Sequence, residues 1–68
     1  MTAISKRFEE LDSENYSNEE LLILFEFYAK ASEDKGYSKD MQEICMISVI
    51  ALKRIILNRM VKGDAHNE

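Results

Sequence analysis

The chain has 68 residues, a formal net charge of −4, a single cysteine, two glycines and no proline. That length holds one domain at most; an intrachain disulfide is excluded, and so small a core calls for another source of stability such as self-association. The start MTAISKRFEELD is charged and lacks an apolar leader core, and the longest apolar run, Ile44 to Leu52 with Ser48 inside it, is far shorter than the roughly 20 residues of a membrane span. The expectation is a cytoplasmic protein with no membrane association.

Ile4, Phe8 and Leu11 follow one another at helical spacing and predict a short amphipathic helix over about 3–14. Its apolar stripe is narrow, so this helix must dock on something to persist. The polar stretch DSENYSNEE then ends in a helix-start signal, Ser17 with Glu20 three residues later. In that pairing each side chain satisfies the other's free backbone N–H. Glu19 and Glu20 also place negative charge at the positive end of the helix dipole.

The second helix is expected over 18–34, with Gly36 as its stop. Phe27, Ala31, Leu24, Tyr28, Leu21, Phe25, Ala29 and Leu22 cover more than half of its circumference. Glu26, Lys30 and Glu33 mark the wet side, and Ile23 falls there as well. A stripe this wide exceeds what one neighbouring helix requires.

Ser38 caps a third helix over about 38–62, with Asp40 in its first turn and no breaker before Gly63. The run ICMISVI also fits a buried strand, being rich in β-branched residues. Length decides for helix, because no turn signal bounds the run and a lone strand has no sheet to join. One face gathers Met41, Ile44, Cys45, Ser48, Leu52, Ile55 and Ile56, with Val49 at its edge; Met46, Ile47, Ile50, Leu57 and Val61 lie broadly opposite. A helix apolar on both sides is buried on both sides. Two short helices cover one of them, and a second copy of the chain is the economical cover for the other.

The predicted fold is therefore all-α: a short N-terminal helix plus an antiparallel helical hairpin, forming a dimeric helical bundle within a single domain over 1–64, followed by a polar tail at 65–68. Met46, Ile47, Ile50, Leu57 and Val61 are the expected partner or dimer interface. The rival arrangements are a monomer offering this face to a different protein, and a closed three-helix monomer in which Lys and Arg stems cover it.

Chemistry-bearing motifs are few. His66 stands in the polar tail without Cys or His partners at ligand spacing, so no metal site is expected. Cys45 lies in an apolar run and reads as a small buried hydrophobe. There is no phosphate-binding glycine loop, nucleophile elbow or H-E-x-x-H. The pairs Glu9/Glu10, Glu19/Glu20 and Glu33/Asp34 are chain neighbours that diverge on a helix rather than converging on a substrate. No catalytic residue, cofactor or small-molecule substrate is expected.

Charge is asymmetric. Residues 1–34 hold nine acidic and three basic side chains, a net of −6, whereas residues 35–68 hold four and six, a net of +2. Glu19, Glu26 and Glu33 are the expected acidic docking face for a basic protein, although a few net charges also serve solubility alone. Nucleic-acid binding is disfavoured, because the basic residues of the third helix are dispersed rather than gathered in a patch. A dimer that brings together two copies of Lys6, Arg7 or Lys53 is the route by which it would arise, with Tyr16 and Tyr37 available to stack. The expected function is protein–protein interaction: a homodimeric adaptor or inhibitor acting on another protein, such as a transcription regulator or nuclease. The alternative is a dimeric nucleic-acid-binding regulator using paired basic residues.

Overall fold

A computed structural model of the chain describes residues 2–66. It is all-helical: α1 (Ala3–Ser13), α2 (Asn18–Ser32) and α3 (Lys39–His66), with no strand among the described residues. The stretch ICMISVI lies inside α3.

Each helix start follows from local chemistry. The Thr2 hydroxyl accepts from the Ser5 N–H at 3.0 Å and opens α1. Ser17 and Glu20 open α2 reciprocally: the Ser17 hydroxyl accepts from the Glu20 N–H at 3.1 Å, and the Glu20 carboxylate accepts from the Ser17 N–H at 2.9 Å. Donation to its carboxylate, first from the Ser17 backbone N–H and second from the Ser17 hydroxyl, holds the Glu20 carboxyl below its ordinary range. Ser38 caps α3 by accepting from the Met41 N–H at 3.2 Å.

The helix ends differ from expectation. The turn after α1 passes through Asn15, whose φ of 56° is in the left-handed region; the short polar Asn side chain tolerates that region better than most. α2 stops at Ser32, two residues early, and Gly36 is not its left-handed cap. Asp34 makes the break instead: its carboxylate accepts from the Gly36 N–H at 2.8 Å, and its carbonyl accepts from the Gln42 side chain at 2.6 Å. An Asp side chain that offers the backbone this alternative bond competes with helix continuation. At the other extreme, α3 continues through Gly63 to His66. A lone glycine costs a helix only about 1 kcal/mol, too little to end one already propagated. Residues 65 and 66 therefore belong to the helix rather than to a tail, and 67 and 68 lie outside the described residues.

α3 is the centre of the molecule. Both α1 and α2 pack against it, and no Cα of α1 comes within 8 Å of one in α2. At 1.5 Å per residue the 28-residue α3 is about 42 Å long, which accounts for the 46 Å long axis of the fold. The main core joins Leu11, Leu21, Ala51, Leu52 and Ile55, with Phe8, Tyr16, Leu24, Phe25, Tyr28 and Ile56 packed around it. Tyr16, read as available to stack, packs on the core, whereas Tyr37 is exposed.

The buried stripe of α3 is Cys45, Ser48, Ala51, Leu52 and Ile55. It departs from the expected face at two points. Met41 and Ile44 are about half exposed, and Ile44 lines an open cleft with Ala3, Lys6, Arg7 and Glu10 of α1. Ala51, assigned to neither face by sequence, is fully buried.

Candidate functional site

Three sectors run along α3. One is covered by α1, the next by α2, and the third is open. The α1 sector carries a polar clasp. The Arg7 guanidinium donates through Nε to the Ser48 hydroxyl at 2.9 Å, and through a terminal nitrogen to the Tyr28 hydroxyl at 3.1 Å. Its carbon lies 5.7 Å from the Tyr28 ring centroid, within reach of a cation–π attraction. The other terminal nitrogen meets Glu10 at 3.3 Å. Ser48, fully buried, completes its own bonding by donating to the Ile44 carbonyl at 2.9 Å. One arginine of α1 thus ties together all three helices, and the buried serine inside the apolar run is fully satisfied.

The α2 sector is pinned at both ends. Arg59 donates to the Asn18 side chain at 2.8 Å at the start of α2, and Gln42 holds Asp34 just beyond its end. Between α2 and the C-terminal half of α3 lies a cleft of about 310 Å³, lined by Leu21, Leu22, Ile56 and Met60 with Asn18 and Arg59.

The open sector is the candidate site. Met46 is 56%, Ile50 36%, Leu57 48% and Val61 66% exposed. Ile47 is only partly exposed and lines a cleft with Ala3, Lys6, Arg7 and Glu10 of α1, so it stands at the edge of the open face rather than within it. Met60, not singled out by sequence, is 59% exposed and joins the face to Leu22 across the second cleft. Its signal was available: it lies three residues beyond Leu57. The face is hydrophobic but not uniform, since exposed Glu43 and Lys53 stand along the same side of α3.

Glu19 and Glu26 of α2 and its C-cap Glu33 recur every seventh residue and are all exposed. They do not form an unbroken acidic surface. Glu26 pairs with Lys30 at 3.4 Å, and Ile23 and Phe27 are exposed among them. Among the bases, Lys6 and Lys53 are exposed, while Arg7 is committed to the clasp. Cys45 is buried. Among the described residues no group of three or more His, Cys, Asp or Glu is placed to hold a metal ion, and no helix is long and apolar enough to cross a membrane.

No family model matches the chain, and no curated protein or solved structure matches it either.

Proposed function

We propose that this chain is a small, non-enzymatic protein–protein interaction module of the cytoplasm, built on an antiparallel hairpin of α2 and α3, that works as a homodimer and serves as an adaptor or inhibitor of another protein. The observation that carries this reading is the open apolar sector of α3. Four large hydrophobic side chains, Met46, Ile50, Leu57 and Val61, stay exposed on a helix whose other sectors are packed apart from Met41 and Ile44 near its start. Adjoining exposed apolar residues of this kind mark a surface that meets another protein.

The size of the effect is bounded. Full burial of one such side chain is worth about 1.5–3 kcal/mol. These four are about half exposed on average, so covering them recovers about 1 kcal/mol each. Two copies together gain at most about 8 kcal/mol, with all four covered in each, the same order as the roughly 4–15 kcal/mol cost of association. The dimer is therefore expected to be in concentration-dependent equilibrium, with the outward acidic surface of α2 left for a basic partner.

Absolute mass by light scattering over a dilution series tests this. A dimer at high concentration that gives way to monomer on dilution is the expected result. A folded monomer at every concentration would remove the self-association and leave the open sector as a site for a different protein.

A further inference from the structure

The open sector carries a pattern beyond its hydrophobicity. Glu43, Met46, Ile50, Lys53, Leu57 and Met60 recur at alternating steps of three and four, and all six are exposed. That spacing is the seam of a helix that pairs with another helix along its length. Two of the six positions are charged, with opposite signs. Among the described residues neither Glu43 nor Lys53 has an ion-pair partner, both ion pairs lying elsewhere.

A charged seam position costs stability but selects orientation and register. Parallel pairing of two copies in register would set Glu43 on the partner's Glu43 and Lys53 on the partner's Lys53, which is repulsive twice. Antiparallel pairing with Ile50 opposite the partner's Lys53 offers no acid to the lysine and brings the partner's Lys53 into the adjoining layer beside Lys53. Antiparallel pairing one heptad away sets Met46 opposite the partner's Ile50, and so places Glu43 opposite the partner's Lys53. The two-fold axis repeats each contact, so the dimer holds a central apolar patch of Met46 and Ile50 from both copies, closed at each end by an opposite-charge pair, with Leu57 beyond it opposite the partner's Lys39 and with Met60 and Val61 past the start of the partner's α3.

We propose that two copies of this chain pair through α3 in this antiparallel register, with Glu43 facing the partner's Lys53. This rests on the open sector being a self-association surface and adds its geometry. Both charged residues are exposed and outside the core, so their exchange leaves the fold intact, which far-ultraviolet circular dichroism checks.

The experiment measures the dimer dissociation constant of the wild type, Glu43→Lys, Lys53→Glu and the double exchange by sedimentation equilibrium at low salt. Each single variant replaces two attractive contacts by two repulsive ones and is expected to weaken the dimer roughly tenfold or more. The double variant restores opposite charges and is expected within roughly threefold of wild type. A dimer indifferent to all three changes, or a double variant no tighter than the singles, overturns the register while leaving self-association standing. A wild type that remains monomeric throughout overturns self-association itself, and the register with it.

Discussion

Replacing Arg7 by alanine tests how α1 is held. Apart from the buried Leu11, α1 is attached through partly exposed side chains, so the clasp carries much of its docking. Its two central bonds, to Ser48 at 2.9 Å and Tyr28 at 3.1 Å, have a charged donor, and such bonds contribute about 1.5–3 kcal/mol each where water is excluded. The Arg7 side chain is 27% exposed, so water replaces part of what is lost. The exposed contact with Glu10 adds little. A loss of about 2 kcal/mol is expected, against a total stability of about 3–10 kcal/mol for a chain of 68 residues. Urea unfolding at fixed protein concentration reads this as a midpoint lowered by about 1–2 M. Hydrogen exchange should show the amides of α1 losing protection before those of α2. Lys6→Ala, one residue away and exposed, should cost less than about 0.5 kcal/mol. An Arg7→Ala midpoint indistinguishable from wild type, or a Lys6→Ala loss equal to it, would refute the clasp.

Leu52 of α3 is fully buried in the main core with Leu11 of α1 and Leu21 of α2, so Leu52→Ala should cost about 2–5 kcal/mol by thermal or chemical denaturation; a smaller loss would mean the core is looser than described. Ile50→Glu places a carboxylate at the centre of the open sector, and is expected to abolish the dimer in light scattering while leaving the helical circular dichroism spectrum unchanged. The lowered folded-state pKa of Glu20 means that its contribution is complete above the unfolded-state carboxylate range and is lost as pH falls through the folded value. The melting-temperature gap between wild type and Glu20→Ala should therefore close on going from about pH 6 to about pH 3, and a gap constant across that range would exclude the capping carboxylate as its source.

What was legible in the sequence follows the range of the interactions. The Ser17–Glu20 start of α2 spans three residues and is written locally, as is the Ser38 cap. The open sector was legible through periodicity, because Met46, Ile50, Leu57 and Val61 share one side of a single uninterrupted helix. The clasp was not. Arg7 and Ser48 are 41 positions apart, and nothing near Arg7 distinguishes it from a solvated charge, or Ser48 from an interruption in an apolar run. The partial burial of Ile47 was hidden for a related reason: a helical wheel gives its angle, not which neighbour arrives there, and α1 residues line a cleft beside it. The end of α2 was read from Gly36, whereas the side chain of Asp34 turns the chain first.

The central position of α3 has a consequence for how the chain is made. A ribosome releases α1 first and α2 second, yet neither backbone approaches the other. Both wait for α3, which is synthesised after them. The apolar stripes of α1 and α2 consequently face solvent together until the middle of α3 has emerged, at which point both docking surfaces become available on a single helix. Folding during translation is then a late, nearly simultaneous event rather than a stepwise one. A nascent chain stalled before Ala51 should remain as open to protease as an unfolded peptide, and one stalled with the whole of α3 outside the exit tunnel should resist it.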